Sequence, residues 1–281
     1  MKLGIIDVGG GMRGIYAAGV FDALLDMHIE MDCCIGVSAG SANIVSYLSK
    51  QRKRNYVYYT EYSKRKDYMS LHNFIHKKEY IDLEYVYGTL SNSNGEYPID
   101  YKTFSQNPSS FFVVATNADT GKPMYFSKED VHLDDFRILK ASCAIPFVCK
   151  PQKVYDEYYF DGALSDCVPI SFAKEQGCTH IILILTKPVD VIRSSKKDKM
   201  IASFIQKKYP EAANALLHRA ACYNQAIEKA KKDENICIIA PEDTFGVDTL
   251  TKDQKAMDLL YLQGYKDAGK IEWFLKKKNL I

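Results

Sequence analysis

Short apolar runs alternate with helix-like segments along the first part of the chain. Leu3–Asp7 and Cys33–Val37 are continuous apolar runs and predict buried strands. Between them, apolar positions recur at helical spacing over Ile15–Met27, and Ser41–Ser49 predicts a further helix. The repeated order of strand, glycine-rich turn and helix is typical of a parallel α/β sheet.

The later part of the chain also contains patterns that predict strands and helices. Further buried strands are predicted over Phe111–Thr116, Ile181–Thr186 and Ile236–Ala240, and a small hairpin is predicted around Asp156-Glu157. Helices are predicted over Arg54–Met69, Glu211–Lys232 and Asp253–Lys278, and a loop over residues 187–200. We therefore expect one domain over residues 1–281, with a core over about 1–186 and a helical C-terminal part over about 199–281.

Composition narrows the class of protein. The chain has 281 residues and is 47% hydrophobic, which is enough for one large α/β domain. Its 37 basic and 35 acidic side chains nearly balance, so no nucleic-acid partner is expected. The eight cysteines form no CxxC pair and no metal-type cluster with histidine, which predicts buried thiols in a reducing compartment.

Targeting signals are also missing from the pattern. No secretory leader precedes the first strand, and no run approaches the ~18 apolar residues of a membrane-spanning helix. We expect a cytoplasmic protein. Peripheral contact with a membrane and the oligomeric state stay open at this stage.

A pentapeptide between the second strand and its helix carries the first chemical signal. Gly36-Val37-Ser38-Ala39-Gly40 fits G-x-S-x-G, in which the serine lies on a strained turn and the flanking glycines relieve clashes. The positive end of the following helix favours negative charge near the serine. Ser38 is thus a candidate nucleophile, although an ordinary strand–helix turn with a capping serine has the same pattern.

A glycine-rich loop follows the first strand. Gly9, Gly11 and Gly14 fit the G-x-G-x-x-G pattern of dinucleotide sites, which also need an acidic residue at the end of the second strand. That strand runs instead into Ser38, which counts against a nucleotide-binding oxidoreductase but leaves it as an alternative. Consecutive glycines can also offer backbone N–H groups to a tetrahedral oxyanion, and both loops open at the same sheet edge.

A serine nucleophile needs a base. None of the six histidines has an evident catalytic setting, although a Ser–His–Asp triad stays open. Asp161 follows the aromatic run Tyr158–Phe160 and precedes Gly162, so it could be held at the edge of a pocket. The Asp-Gly pair taken alone is only a turn signal.

These three motifs together resemble the patatin-like phospholipase family, and in particular its bacterial-type branch. Gly9–Gly14 resembles the oxyanion loop of the family, Gly36–Gly40 its nucleophile elbow, and Asp161–Ala163 its base motif. Ala141–Pro146 resembles the segment ahead of that aspartate. The resemblance covers residues 1 to about 175 and implies a patatin-like parallel-sheet fold with flanking helices, in three layers α/β/α.

The resemblance also implies a chemistry. Ser38 attacks an ester carbonyl, Asp161 accepts its proton directly, and water then hydrolyses the acyl-enzyme. The oxyanion hole is assigned to the loop at Gly9, Gly10, Gly11 and Met12, where Arg13 either orients the loop or forms a structural salt bridge. The substrate is expected to be a lipid or a small ester, with no cofactor and no metal. A non-catalytic lipid-binding protein that keeps a relic dyad is the remaining alternative.

Residues 50–69 are a candidate for contact with a lipid surface. Seven basic side chains face only Glu61 and Asp67 there, and five tyrosines are interleaved with them. Basic charge attracts anionic head groups, and tyrosine favours the boundary between apolar and aqueous surroundings. The helical spacing of Tyr56, Tyr59 and Tyr62 equally fits a core-facing helix with a solvated basic back.

Overall fold

An eight-stranded mixed sheet forms the centre of the protein in the computed structural model, which describes residues 1–281. The strands are β1 Leu3–Asp7, β2 Cys33–Val37, β3 Ser110–Asn117, β4 Pro123–Ser127, β5 Gln152–Val154, β6 Glu157–Asp161, β7 His180–Ile184 and β8 Ile236–Ile239. The helices are α1 Ile15–Asp26, α2 Ala39–Leu48, α3 Arg54–Thr60, α4 Leu71–Lys77, α5 Tyr101–Gln106, α6 Arg137–Ser142, α7 Ile170–Glu175, α8 Lys196–Ile205, α9 Pro210–Ala230, α10 Gln254–Asp267 and α11 Gly269–Lys277. Short 3₁₀ turns cover Gly11–Gly14, Tyr62–Lys64, Lys128–Asp130 and Gly162–Leu164, and a π-helical turn covers Tyr85–Thr89.

Helices cover both faces of the sheet. Five strands run parallel in the order β3-β2-β1-β7-β8. Neighbouring residues of β1 point to opposite faces, so Ile5 packs in the core that contains Val20 of α1 and Ile44 of α2. Ile6 packs in the other core, with Ile227 of α9. Burial on both faces explains why β1 and β2 are continuous apolar runs without alternation. The predicted α/β class with flanking helices is confirmed.

Two strands share one edge of β3, and this arrangement creates the site. Since β4 occupies the other edge, β6 and β2 must lie end to end on the same side of β3. Parallel β2 ends with Val37 opposite Val114, and antiparallel β6 ends with Asp161 opposite Ala115. The two strands therefore run toward each other, and their last residues meet at adjacent positions along β3.

The sheet and several helices differ from the sequence-based expectation. Three antiparallel strands, β4, β5 and β6, extend the predicted parallel sheet, and β4 lies where the sequence predicts no strand. The expected helix over residues 54–69 ends at Thr60, where the hydroxyls of Thr60 and Ser63 bond carbonyl oxygens four residues back. Such side-chain bonds compete with the regular helix ladder. The predicted helix over residues 253–278 is two helices that divide at Ala268, and the expected loop over 187–200 becomes helical at Lys196.

The C-terminal helices pack directly on the N-terminal half. A Cβ at Gly264 of α10 would lie 2.0 Å from the carbonyl oxygen of Tyr16 in α1, so only glycine permits this approach. Hydrogen bonds from the Tyr16 hydroxyl to Asp267 (2.8 Å) and from the Tyr261 hydroxyl to Asp22 (2.7 Å) join the same two helices. None of the helices combines the length and the apolar character that crossing a bilayer requires.

Candidate active site

Ser38 lies on the turn between β2 and α2 in a strained backbone conformation. Its φ of 56° and ψ of −134° are rarely adopted by residues other than glycine, and such strain costs about 1–3 kcal/mol. The Ser38 N–H donates to the Ser142 hydroxyl (2.8 Å), which itself donates to the Val114 carbonyl (2.7 Å). The surrounding structure thus holds Ser38 in place, and strain retained at one buried serine points to a function there.

Ser38 and Asp161 are in direct contact. The Ser38 hydroxyl donates to Oδ2 of Asp161 at 2.6 Å, and both side chains are buried. The other carboxylate oxygen, Oδ1, accepts the Ala163 N–H (2.8 Å), and the Asp161 N–H donates to the Ala144 carbonyl (3.0 Å). The segment 141–146 therefore contacts both members of the pair, through Ser142 and Ala144. No histidine stands between them.

Burial controls the acidity of Asp161. Desolvation raises the pKa of its carboxyl group, while the hydrogen bonds from Ser38 and Ala163 act in the opposite direction. The positive charges of Arg219 and Arg193 also lower this pKa, but by less than burial raises it. A carboxylate with a raised pKa is a better proton acceptor than an exposed one. The arrangement can therefore deprotonate the serine hydroxyl without an intervening imidazole.

The glycine loop lies directly against the serine turn. Gly9 has a φ of 64°, and a Cβ there would lie 2.2 Å from the Val37 carbonyl oxygen. The Gly9 N–H donates to Asp7 (2.9 Å) and the Met12 N–H donates to the Thr249 carbonyl (3.1 Å). The N–H groups of Gly10 and Gly11 have no partner within the protein. Of the four residues predicted for an oxyanion hole, only these two keep a free donor.

The other motif glycines mark close contacts around the same turn. A Cβ at Gly36 would lie 2.3 Å from Ser41, and one at Gly40 would lie 2.3 Å from the Asp7 carbonyl oxygen. Further close contacts hold Gly14 against Tyr59 and Gly162 against Val114. These glycines let the two loops and Asp161 approach one another.

Residues that the sequence patterns do not single out hold the glycine loop. Asp7 is fully buried, and its Oδ2 accepts the Asn43 side-chain N–H at 2.9 Å. Asn43 also donates to the Gly14 carbonyl (3.0 Å), and Thr186 donates to the Gly9 carbonyl. Burial raises the pKa of Asp7 to about 6. The only sequence signal is an aspartate that ends an apolar strand two residues before the first glycine of the loop.

The C-terminal part of the chain closes over the glycine loop. Arg13 forms an ion pair with Asp248, and its guanidinium also donates to the Thr249 hydroxyl at 3.3 Å. The sequence leaves open whether Arg13 orients the loop or forms a salt bridge. Its partner on the segment between β8 and α10 makes it a tether for the loop.

Asp7 should be a positioning residue for the loop. An asparagine there would place an NH₂ group against one of the two N–H donors, Gly9 or Asn43, and would leave that donor unpaired. We expect Asp7→Asn to lower kcat about tenfold or more, since misplaced catalytic donors lose this much, with a smaller change in KM. Steady-state kinetics on an ester would measure this, with the exposed Asp156→Asn as control; an unchanged kcat would contradict the role.

A largely apolar cavity opens beside Ser38. Thirteen of its nineteen lining residues are hydrophobic, and Gly11 and Met12 form part of its wall. None of the six histidines lines it. Cys143 does, but burial raises the pKa of its thiol to about 12, so it is not a thiolate at neutral pH. Ser38 is therefore the better nucleophile in this cavity.

The tyrosine-rich segment contributes to the same cavity. Tyr58, Tyr59 and Tyr68 line it, so residues 50–69 lie beside the candidate site as expected from their place in the sequence. Tyr59 and Tyr62 are buried, as the core-facing alternative expects, whereas Tyr56 is only half-buried and Tyr58 is buried in addition. Three of the basic side chains are paired with acids, in the pairs Lys50–Glu30, Arg52–Asp26 and Arg65–Glu96. A membrane role for this segment stays a prediction.

Comparison with known proteins assigns the family. The family model for patatin-like phospholipase matches residues 8–174, and a domain of unknown function (DUF6363) matches residues 209–272. This protein belongs to the patatin-like phospholipase family, as the sequence motifs predict. Membership supports lipid acyl hydrolase activity.

Individual relatives say less about the function of this protein than the family model does. The chain is 25% identical over 192 residues to the uncharacterized protein YjjU of Escherichia coli K12, which covers 66% of this chain and 52% of YjjU. The chain thus spans about half the length of this curated relative. The crystal structure of VipD from Legionella pneumophila is similar to this chain with a TM-score of 0.48 and 15% identity, covering 96% of this chain and 66% of VipD.

Proposed function

We propose that the protein hydrolyses acyl esters of lipids through a Ser38–Asp161 dyad. The observation that carries this proposal is the direct 2.6 Å hydrogen bond from the strained, buried serine to the buried carboxylate. Family membership supports the same class of activity. The alternative of a nucleotide-binding oxidoreductase has less support, because β2 leads into Ser38 where such a site needs an acid.

The reaction would proceed in two steps. Asp161 accepts the hydroxyl proton as Ser38 Oγ attacks the ester carbonyl, and the proton then passes to the leaving alcohol. The oxyanion accepts hydrogen bonds from the N–H groups of Gly10 and Gly11, next to the positive end of α2. In the second step a water molecule transfers its proton to Asp161 and attacks the acyl-enzyme. The carboxylic acid leaves, and Ser38 regains its proton.

Most of the cavity wall suits the methylene chain of an acyl group. Beyond Ser38 its wall includes the side chains of Met69, Ile81, Leu83 and Val86. Apolar surface removed from water stabilises a complex by about 25 cal/mol per Å². The methylene groups of a fatty acyl chain would gain from this burial.

A lipid panel tests the proposed function. Purified full-length protein should release fatty acid from at least one class among phospholipids, lysophospholipids and neutral acylglycerols. Mass spectrometry of the products would identify both the acid and the remaining alcohol. If no lipid and no short-chain aryl ester is hydrolysed, the protein is not an acyl hydrolase, and the non-catalytic lipid-binding alternative takes its place.

We further propose that the protein reaches its lipid through an apolar surface patch, defined by Leu71, Phe74, Ile75, Phe147, Met200 and Phe204. Phe147 is 52% exposed, and its ring lies 5.9 Å from that of Phe74 and 4.9 Å from that of Phe204. The patch thus joins α4 and α8 through one loop. Contiguous exposed apolar surface of this kind marks interaction sites.

The surroundings of the patch fit an anionic lipid surface. Four exposed lysines without an ion-pair partner lie within three residues of its members along the chain, namely Lys78, Lys150, Lys199 and Lys207. Each basic residue near an anionic membrane contributes about 1 kcal/mol of attraction. The patch also adjoins the cavity, because Met69 and Ile145 line the cavity and lie two residues before Leu71 and Phe147.

Charge placed in the patch should weaken membrane binding. We expect Phe147→Glu combined with Phe204→Glu to reduce binding to phosphatidylserine-containing vesicles about tenfold or more, since two exposed aromatic anchors are lost and negative charge is added. Flotation of the full-length protein would measure this. Trp273→Glu, at an exposed aromatic residue of α11, is the matched control. Equal flotation of the double variant and the wild type would exclude the patch.

A further inference from the structure

Arg54 is a buried cation that lacks an anion. It begins α3, is 3% exposed and lines the same cavity as Ser38. No carboxylate lies within ion-pairing distance, and its Nε has no hydrogen-bond partner. Its remaining N–H groups donate only to uncharged oxygens, those of Ser46, Tyr58, Ser91 and Tyr97.

The cavity offers no compensating negative charge. Arg54 is the one charged side chain among the lining residues, and most of the others are apolar. Burial lowers the pKa of Arg54, and the neighbours that act most strongly in the opposite direction are tyrosines rather than acids. An uncompensated charge in such surroundings is costly unless a ligand supplies its partner.

A second donor lies in the same cavity. Tyr68 lines it, and no group of the protein forms a hydrogen bond with the Tyr68 hydroxyl. Burial raises the pKa of Tyr68, so the hydroxyl keeps its proton at neutral pH and can donate it in a hydrogen bond. A guanidinium and a free hydroxyl donor together fit the oxygens of a carboxylate or a phosphate.

We propose that Arg54 and Tyr68 bind an anionic oxyacid group of the substrate while the ester carbonyl lies at Ser38. This inference rests on the proposed hydrolase function and extends it to a substrate class: esters that carry a carboxylate or a phosphate in addition to the ester bond. The opposing account is purely structural, in which Arg54 only ties α3 to Ser91 and Tyr97.

Matched esters test the substrate class on the wild-type protein. The p-nitrophenyl ester of hexanoic acid and the mono-p-nitrophenyl ester of adipic acid have the same chain length and differ in a terminal methyl or carboxylate group. We expect kcat/KM to favour the charged ester about tenfold or more, the scale of one charge-assisted hydrogen-bonded pair. Equal rates, or a preference for the neutral ester, would overturn the proposal for carboxylates.

A binding experiment, which does not depend on catalysis, distinguishes phosphate from carboxylate. Calorimetry on Ser38→Ala with hexyl phosphate, heptanoate and hexanol should show tighter binding of at least one anion than of the alcohol. The tighter anion identifies phosphate or carboxylate as the group bound. If the wild type hydrolyses no ester but the anions still bind, only the hydrolase function fails. If esters are hydrolysed and neither anion is preferred in either arm, only this inference fails.

Variants of Arg54 and Tyr68 test whether these side chains cause the preference for the charged ester. Arg54→Met should bring the ratio between the charged and the neutral ester close to one, Arg54→Lys should retain part of it, and Tyr68→Phe should lower it a few-fold. Arg52→Met is the matched control, because Arg52 pairs with Asp26 outside the cavity. Retention of the full ratio in Arg54→Met would overturn the assignment. Should that variant not fold, retention in Tyr68→Phe and Arg54→Lys would overturn it instead.

Discussion

Replacing Ser38 with alanine should abolish ester hydrolysis, with a loss of about 10⁴-fold or more in kcat, the scale seen when a serine nucleophile is removed. The proposed acyl-enzyme needs the Ser38 oxygen, and alanine leaves Asp161 with no hydroxyl to deprotonate. Initial rates on the best substrate of the lipid panel would measure the loss. The variant should keep the fold, because the Ser38 N–H that bonds Ser142 is unchanged.

Covalent labelling gives an independent reading of the same residue. A fluorophosphonate probe should modify the wild type at Ser38 and leave Ser38→Ala unlabelled, as peptide mapping would show. Cys143→Ala is the matched control, since Cys143 is the other nucleophilic side chain of the cavity and its thiol pKa is raised by burial. Labelling that persists in Ser38→Ala, or that disappears in Cys143→Ala, would assign the nucleophile elsewhere.

The strands that carry the site can be predicted because their burial is reflected in their composition. β1 and β2 are covered on both faces, so nearly every position is apolar and the run stands out from the polar segments around it. β4 is not predicted from the sequence because it is an edge strand. It begins with Pro123, and both Pro123 and Met124 are exposed. Its pairing partner β3, and not its own composition, makes it a strand.

Ser38 and Asp161 can be singled out from local motifs, but the geometry of their contact cannot. G-x-S-x-G and D-G-A identify Ser38 and Asp161 one at a time, and nothing in either motif states that they touch. Contact follows from the register of β2 and β6 on one edge of β3, which is a tertiary property. At the level of the sequence, the pairing of Ser38 with Asp161 comes from the resemblance to the patatin-like phospholipase family, because the residues alone leave it open.

The supporting residues show the limit of local patterns most clearly. Met12 is a candidate oxyanion donor by sequence, yet its N–H is occupied by the Thr249 carbonyl from the far end of the chain. Asp7 and Asn43 hold the glycine loop through side-chain bonds across two elements. Arg54 is one more cation of a basic run in the sequence, and only the fold buries it beside Ser38. Such roles depend on contacts between distant segments, which spacing along the sequence does not encode.

Asp161→Asn should lower the activity of the protein and raise its stability. Asparagine cannot accept the Ser38 proton, so kcat should fall about 10²- to 10⁴-fold, the usual contribution of a general base. Its amide can still accept the Ala163 N–H with one end and donate to the Ser38 hydroxyl with the other. The site therefore stays paired, while the buried negative charge is removed. We expect the free energy of unfolding at neutral pH to rise rather than fall.

The pH dependence of that stability gain follows from the direction in which the pKa moves. Burial raises the pKa of Asp161 in the folded protein above its ordinary value, so the folded state binds more protons than the unfolded state in the interval between the two pKa values. Wild-type stability therefore falls as the pH rises through this interval and then levels off. A pKa difference of one between the two states corresponds to about 1.4 kcal/mol. The Asp161→Asn variant has no titrating group at this position, so its gain over the wild type should shrink as the pH falls toward about 4.

Two measurements on Asp161→Asn test the expected changes in stability and activity. Urea unfolding across pH should show a stability difference between Asp161→Asn and wild type that is largest near neutrality and declines in acid. Steady-state kinetics should show the loss of kcat, and the wild-type rate should itself decline in acid with a midpoint above that of an ordinary carboxyl group, because the protonated carboxyl cannot act as base. Asp156→Asn, on the exposed hairpin turn, should alter neither quantity. An Asp161→Asn variant that retains wild-type kcat would remove Asp161 from the mechanism, and a pH-independent stability difference would remove the buried charge as its cause.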